Sequence, residues 1–141
     1  MKKIIQTENA PEPVGPYSQA LKVEKFLFVS GQVAIGPKEG RTVASGIREQ
    51  TVRVMENIKA ILHDAGYSLS DVVQSNVYLL SMKLFSEFNN EYSKYFDKVF
   101  SCLRHCWNKT DGWRSCGNFG GSIQRVKTCC NELRRAVSAF S

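Results

Sequence analysis

Tyr17 and the pair Ser30-Gly31 are the residues whose types and surroundings best suit a chemical role. Tyr17 follows Gly15-Pro16, a dipeptide that fixes a sharp and rigid turn, so its phenol sits on a defined backbone. A phenol in that position can hydrogen-bond a carboxylate or a water. Ser30-Gly31 follows the apolar run 26–29, and its small residues would let a ligand approach bare backbone. The other interpretation is an ordinary turn and strand end, and the local pattern leaves both open.

Short apolar runs predict the strands that position these residues. A first strand is expected over 3–6, before a proline-rich loop over 9–16. Runs at 20–23 and 26–29 predict a hairpin with Glu24-Lys25 as its two-residue connection. The second run is expected to be a short buried strand that ends at Ser30-Gly31.

Two helices are predicted further along the chain. Ser45-Gly46 opens the first helix, and Gly66 suits a left-handed cap at its end. Its apolar stripe consists of Ile47, Val54, Ile58, Ile61, Leu62 and Ala65. A strand over 72–80 precedes the second helix, which begins near Ser81. The second helix has an aromatic face, which we expect to lie in the core and which consists of Phe85, Phe88, Tyr92, Tyr95 and Phe96. Strands joined through a helix predict a sheet with its helices on one face.

The chain of 141 residues fits one domain, with 43% hydrophobic and 23% charged residues. No apolar run approaches the ~20 residues of a membrane span, and the N-terminus lacks the apolar core of a signal peptide. We therefore expect a cytoplasmic protein.

Charge and cysteine divide the chain unevenly. Residues 1–96 hold eleven Lys/Arg and ten Asp/Glu, a net charge of +1, whereas residues 97–141 hold eight and three, a net of +5. The second segment also contains both tryptophans and all the cysteines: Cys102, Cys106, Cys116, Cys129 and Cys130. The two segments look like different kinds of sequence.

Several linked motifs in the first segment resemble the RidA/YjgF family of reactive-intermediate deaminases. They are TENAPEPVGPYSQA, FVSGQVAIGPKEG, QTVRVMENIKAILHDAGYSLSDVVQSNVYL and FNNEYSKYF. The resemblance runs from about Lys2 to Phe96 with the family's spacing throughout, so residues 1–96 are expected to form a RidA-like domain.

The resemblance implies an α+β, chorismate-mutase-like fold, in which a mixed six-stranded sheet is backed by two helices. It implies a homotrimer with ligand clefts between subunits, and hydrolysis of 2-iminobutanoate and 2-iminopropanoate to 2-oxo acids and ammonia without metal or organic cofactor. By the same resemblance, Tyr17 is the catalytic candidate that lines the cleft. Ser30 and Gly31 lie beside the ligand, and Asn89 matches an asparagine of the family's second helix.

The family's C-terminal strands have no counterpart in the pattern after residue 96. Members of the deaminase branch carry there an arginine that grips the ligand carboxylate and a glutamate that positions water. Nothing between 97 and 141 matches these strands, so we expect the last two strands to be missing or replaced, and we expect little deaminase activity.

A shifted reading frame explains the change in composition. Read one base later, the codons from Ser101 to about Gln124 allow the sequence PASATVGTKLMDGEVVEISAVAY, which resembles the family's C-terminus. The codons of Leu103 and Phe119 have T as their middle base. Even the restored sequence therefore lacks the family's arginine and glutamate. We accordingly interpret 97–141 as a basic, cysteine-rich tail translated out of frame.

Three other interpretations are weaker. The cysteines do not form the two spaced pairs that structural zinc prefers, so we expect no metal site. Trp107 and Trp113 among basic residues would suit RNA, as in a ribonuclease-like member, but an out-of-frame tail is basic by chance. His63 is expected to be a surface residue.

A non-catalytic trimer that binds a small acid in the same cleft is the main alternative to the enzyme.

Overall fold

The computed structural model contains six strands and two helices in the residues that it describes. These are residues 1–38, 46–96, and the backbone of 102–107 and 123–131. The strands are β1 (Lys2–Ile5), β2 (Ala20–Val23), β3 (Phe26–Gln32), β4 (Val72–Leu79), β5 (Cys102–Trp107) and β6 (Ile123–Asn131). The helices are α1 (Ile47–Asp64) and α2 (Phe85–Tyr92), with short 3-10 turns at Leu69–Asp71, Met82–Leu84 and Ser93–Tyr95.

All of these strands belong to one sheet with the order β1-β2-β3-β6-β4-β5. The β4–β5 pair is parallel, and the other neighbours are antiparallel. The sheet is therefore mixed. Together with its two helices it confirms the predicted α+β architecture of a mixed sheet backed by two helices.

Of the two predicted outcomes for the last two strands, missing or replaced, the structure shows replacement by strands that follow residue 97. Segments 102–107 and 123–131 form β5 and β6, and β6 pairs with both β3 and β4. Strand pairing uses main-chain groups that every residue except proline carries, and neither segment contains proline. The edges of β3 and β4 can therefore pair with a segment whose side-chain pattern does not predict a strand.

The predicted β2–β3 hairpin is confirmed, but β3 differs from the prediction in two ways. Val23 and Phe26 are paired across the turn, where Glu24 adopts a left-handed backbone with φ of 52°. The strand continues to Gln32 and does not end at Val29. It is also buried on one face only, because Leu27 and Val29 lie in the core, whereas Phe26 and Phe28 are 41% and 50% exposed.

The apolar stripe of α1 lies in the core as predicted, and every residue of the predicted stripe is buried. The helix ends at Asp64, and two residues later Gly66 has the predicted left-handed conformation with φ of +81°. The amide of Tyr67 donates to the Leu62 carbonyl at 2.8 Å, and the Gly66 amide donates to the His63 carbonyl at 2.9 Å. These two bonds form a Schellman motif, which satisfies carbonyls that the helix end leaves unpaired.

The aromatic face of α2 is part of the same core. Phe88, Tyr92 and Phe96 are buried in one row, with ring centroids 5.2 Å apart in the first pair and 4.8 Å in the second. Rings at these distances pack as tilted aromatic pairs. The assignment of this stripe to the core is therefore confirmed.

The face of the sheet that points away from the helices carries exposed apolar side chains on β1, β2 and β3. These residues, which we call the helix-free face, are Ile4, Val23, Phe26 and Phe28. The rings of Phe26 and Phe28 have centroids 6.4 Å apart. Among the described residues, no helix is long and apolar enough to cross a membrane.

Candidate functional site

Tyr17 lies on a tight turn at the surface. Its amide donates to the Gly15 carbonyl at 2.7 Å, which closes a three-residue turn. A methyl group added at Gly15 would lie 3.2 Å from Cε1 of the Tyr17 ring, so the ring packs directly over this glycine. Its hydroxyl accepts a long hydrogen bond of 3.4 Å from the Val14 amide. With 55% of the residue exposed, the ring is both oriented and open to a ligand.

Ser30 and Gly31 lie in a β-bulge. Between Val29 and Gln32, β3 advances three residues while its partner β6 retreats only two, from Thr128 to Val126. A bulge interrupts the ladder and redirects the backbone, and bulges are common next to binding sites. The sequence placed these residues at a strand end. The structure places them inside the strand, at its irregular point.

Three hydrogen bonds hold Ser30. Its amide donates to the Gln19 carbonyl at 2.9 Å, and its hydroxyl donates to the Ser18 carbonyl at 2.6 Å. The Gln32 side chain donates to the Ser30 carbonyl at 3.1 Å. The hydroxyl has one proton, which these contacts commit to Ser18. The remaining capacity of the Ser30 oxygen is to accept a hydrogen bond.

Tyr17, Ser30 and Gly31 thus belong to one connected surface, because Ser18 and Gln19 join the turn to the bulge. We call residues 15–19 and 30–32 the site wall. The described side chains of this wall are uncharged. They can donate from the Tyr17 phenol and accept at the Ser30 oxygen, but they supply no strong acid or base.

Asn89 does not lie on the site wall. It is exposed on α2, where its carbonyl accepts the Ser93 amide at the end of the helix. Helix α2 packs on α1. Asn89 is therefore in the helical layer, whereas the wall is formed by the sheet and the loop before β2.

Sequence reasoning missed Gln19, which is only 2% exposed. Its Oε1 accepts the Thr7 amide at 2.7 Å, and its Nε2 lies 3.0 Å, 3.1 Å and 2.9 Å from the carbonyls of Thr7, Ala10 and Pro11. Prolines in this loop remove backbone donors, so its carbonyls need an external partner. A glutamine beside a proline-rich loop is the signal that could have indicated this role.

Asn57 has a similar role on the other side of the bulge. It is fully buried on α1, and its Nδ2 donates to the carbonyls of Val33 and Ile35 at 3.3 Å and 2.9 Å. Its Oδ1 is buried and accepts no hydrogen bond from the described part of the chain. Asn57 therefore fixes the segment that leaves β3, directly after Gln32.

His63 is on the surface, as predicted, with its side chain 90% exposed. Its Nδ1 lies 3.4 Å from the Asp64 carboxylate. The pKa of Asp64 is lowered, mainly by a hydrogen bond from the Thr7 side chain and, to a smaller extent, by the interaction with His63. Both residues border a groove of about 410 Å³ along β1, which is also lined by Lys3, Ile4, Ile5 and Gln6. This groove shares no residue with the site wall.

Cys102, which lies on described backbone, is far from both Cys106 and Cys129. Cys102 and Cys106 are four residues apart in β5, which separates them by about 13 Å in an extended strand. Both Cys102 and Cys129 are register partners of Gln74, on opposite sides of β4, so two strand spacings of about 10 Å separate them. Neither separation allows a disulfide. Among the residues that the structure describes, no group of three His, Cys, Asp or Glu residues could hold a metal ion.

Comparison with known proteins extends over most of the chain. The family described as Endoribonuclease L-PSP matches residues 7–108. A RutC family protein of Saccharolobus solfataricus is 58% identical over 96 residues, which are 68% of this chain and 76% of the relative.

Solved structures share the fold. A Thermotoga maritima structure described as a putative endoribonuclease has a TM-score of 0.84 and 36% identity, covering 94% of this chain and 98% of that one. Escherichia coli TdcF, solved with bound serine, has a TM-score of 0.79 and 25% identity, covering 92% and 98%.

Proposed function

Because the chain belongs to the RidA/YjgF family, we propose that it binds a small 2-imino or 2-oxo acid on the site wall and hydrolyses the imino form. The observation that carries the proposal is the Ser30–Gly31 bulge, held by three hydrogen bonds beside the exposed ring of Tyr17. The bound serine of TdcF supports a ligand of this size, an amino acid with a carboxylate beside a substituted carbon.

The reaction is the addition of water to a C=N bond. Water attacks the imine carbon, and the nitrogen takes a proton. The resulting carbinolamine then collapses with release of ammonia and leaves a 2-oxo acid. On the wall, the Ser30 oxygen is suited to accept the imine N–H, and the Tyr17 phenol is suited to donate to a ligand oxygen. Donors and acceptors fixed before binding stabilise developing charge without reorganisation.

Gly31 and Asn89 complete the set of predicted site residues in this proposal. Gly31 has no side chain, which leaves its backbone open to a ligand beside Ser30. Asn89 is exposed on α2 and would contribute only to a cleft that includes the helical layer. The proposal needs no metal or organic cofactor.

The apolar helix-free face supports the homotrimer that the sequence predicts. Large apolar side chains exposed side by side mark surfaces that another protein covers. Phe26 and Phe28 lie on β3, the strand that also carries Ser30, so a subunit packed there would border the site wall. The cytoplasmic location predicted from the sequence is part of the same proposal.

A non-catalytic protein that binds a small acid is the second candidate, and the uncharged wall favours it. In the restored reading frame, the codon of Leu103 gives the residue that follows the Pro-Ala pair. The family carries arginine at that position, and the restored sequence does not. Phe119, the position related to the family's glutamate, lies outside the described residues. Without the glutamate, the wall has no carboxylate to activate water. Without the arginine, binding of an acid depends on the Tyr17 phenol, which can still donate a hydrogen bond to a carboxylate.

One experiment separates the two candidates. Ammonia release is measured from freshly generated 2-iminobutanoate, and thermal shift is measured with 2-oxobutanoate, for the natural chain and for Tyr17→Phe. Turnover above buffer that falls in the variant supports the enzyme. Binding without turnover supports the binding protein. No turnover and no shift would exclude both.

We also infer that the tail from about residue 97 is an out-of-frame translation. The similarity to the Saccharolobus relative spans 96 residues, whereas structural similarity to the Thermotoga protein covers 94% of the chain. The family-like sequence in the next frame supports the same conclusion. The nucleotide sequence across codons 96–102, together with the intact mass of the natural protein, tests it. A mass equal to that of the 141-residue chain would show that the shifted frame is the one translated in the cell. Codons that give no family-like sequence in the next frame would contradict the inference.

A further inference from the structure

The side chain of Gln19 joins parts of the chain that are distant in sequence. One end of its carboxamide accepts the Thr7 amide, and the other end lies against the carbonyls of Thr7, Ala10 and Pro11. All four distances fall between 2.7 Å and 3.1 Å. The proline-rich loop is therefore fixed against one buried group.

The backbone beside Gln19 holds the bulge. The Gln19 carbonyl accepts the Ser30 amide, and the neighbouring Ser18 carbonyl accepts the Ser30 hydroxyl. Tyr17 is two residues before Gln19 on the same segment. A displacement of Gln19 would therefore move both the Tyr17 phenol and the bulge at Ser30.

We propose that Gln19 is a positioning residue, whose buried carboxamide sets the orientation of Tyr17 and Ser30 and through them the ligand affinity of the site wall. This inference rests on the proposed function for its ligand. It does not assign Gln19 any contact with the ligand, because its polar atoms are occupied by the 7–11 loop.

The chemistry of the site requires glutamine. The two N–H protons of Nε2 serve three nearby carbonyl oxygens, so one of these bonds is shared, while Oε1 accepts the Thr7 amide. A carboxamide supplies these donors and this acceptor in one side chain. Methionine has nearly the same shape and supplies neither. Asparagine keeps the carboxamide but is shorter by one methylene group.

The test compares Gln19→Met with Thr51→Val. Thr51 is also buried, and its hydroxyl donates to the Ile47 carbonyl at 2.7 Å within α1, so the control loses a buried hydrogen bond away from the wall. Both variants are studied well below their unfolding temperatures. We expect Gln19→Met to weaken 2-oxobutanoate binding about five- to tenfold, a loss comparable to one or two hydrogen bonds. We expect Thr51→Val to bind like the natural protein.

A second readout needs no ligand. The ring signal of Tyr17 in NMR spectra is assigned by its disappearance in Tyr17→Phe, and the exchange rate of the Ser30 amide is measured by hydrogen exchange. Both should change in Gln19→Met and stay unchanged in Thr51→Val. If Gln19→Met does not fold, Gln19→Asn should give smaller changes of the same sign.

The outcomes are distinct. An unchanged Tyr17 signal and Ser30 exchange in folded Gln19→Met would overturn the inference. Changed signals with an unchanged dissociation constant would overturn its link to ligand affinity. If the natural protein binds no 2-oxobutanoate, the proposed function and the ligand part of the inference fail together. The two ligand-free signals still decide whether Gln19 positions the wall.

Discussion

The Ser30 hydroxyl donates to the Ser18 carbonyl at 2.6 Å, and this bond decides what Ser30 can do chemically. With its proton committed, the oxygen is an acceptor. An imine nitrogen carries an N–H that it can accept, whereas the oxygen of a 2-oxo acid offers none. Under the proposed function, we therefore expect Ser30 to distinguish the imino acid from the 2-oxo acid.

Replacing Ser30 tests this distinction. Ser30→Ala should raise the KM for 2-iminobutanoate about fivefold, the loss of one hydrogen bond, while the dissociation constant for 2-oxobutanoate changes less. Steady-state kinetics and calorimetry measure the two quantities, and Ser30→Thr, which keeps the hydroxyl, is the control. Equal losses for both ligands would show that Ser30 acts only through the shape of the bulge.

Asn57 should stabilise the protein through the segment that leaves β3. Asn57→Leu removes the donors to the Val33 and Ile35 carbonyls and leaves both carbonyls unpaired. We expect the free energy of unfolding in urea to fall by about 2–4 kcal/mol. Asn57→Asp keeps the shape of the side chain and loses the N–H donors, so it should be no more stable than Asn57→Leu. A loss below about 1 kcal/mol in both variants would mean that these bonds contribute little.

Gly66 offers a test of backbone strain without a steric complication. No atom lies within 4 Å of a methyl group added there, so Gly66→Ala costs only the left-handed conformation. We expect a loss of about 1–2 kcal/mol in urea unfolding. Gly66→Asn should lose less, because asparagine tolerates this region better. Equal stability of all three proteins would rule out a cost from the left-handed residue.

The contact between Thr7 and Asp64 should appear as a pH effect. The Thr7 hydrogen bond is the largest cause that lowers the pKa of Asp64, so Thr7→Val should raise that pKa toward its usual value near ~4. NMR titration measures it, and Thr7→Ser is the control. A carboxyl with a lowered pKa stabilises the fold above its unfolded pKa. The advantage of the natural protein over Thr7→Val should therefore shrink as the pH falls below about 4.

Assembly can be tested on the helix-free face. Phe28 is half exposed there, and its ring lies next to that of Phe26. Phe28→Glu places a charge in the proposed subunit interface, so it should convert a trimer to a monomer in size-exclusion chromatography with light scattering. Met82→Glu, at another exposed apolar residue, should leave the trimer intact. A trimer that survives Phe28→Glu would place the interface elsewhere.

Local patterns predicted the parts of the fold that depend on nearby residues. The hairpin across Glu24-Lys25, the buried stripe of α1 and the left-handed Gly66 each follow from residues within a few positions of one another. The same kind of local signal selected Tyr17 and Ser30-Gly31 as site candidates, and their role stays a prediction.

The features that the sequence did not predict depend on distant partners. Strands β5 and β6 join through main-chain groups, which leave no mark on side-chain pattern. The bulge at Ser30 is defined only by comparison with β6, and the role of Gln19 is defined by carbonyls up to twelve residues away. The exposed Phe26 and Phe28 resemble buried residues in composition, because burial depends on what covers the face.

The insertion of β6 between β3 and β4 has a consequence for synthesis on the ribosome. Among the described strands it is the last in sequence but lies inside the sheet, so β3 and β4 gain their shared neighbour only when residues 123–131 have left the ribosome. About 50 residues separate the end of β4 from the end of β6. At a synthesis rate of about 5–20 residues per second, both edges stay open for roughly 2–10 seconds. We therefore expect the nascent chain to expose unpaired strand edges of the kind that chaperones shield, because the N-terminal half cannot complete its sheet before β6 is available.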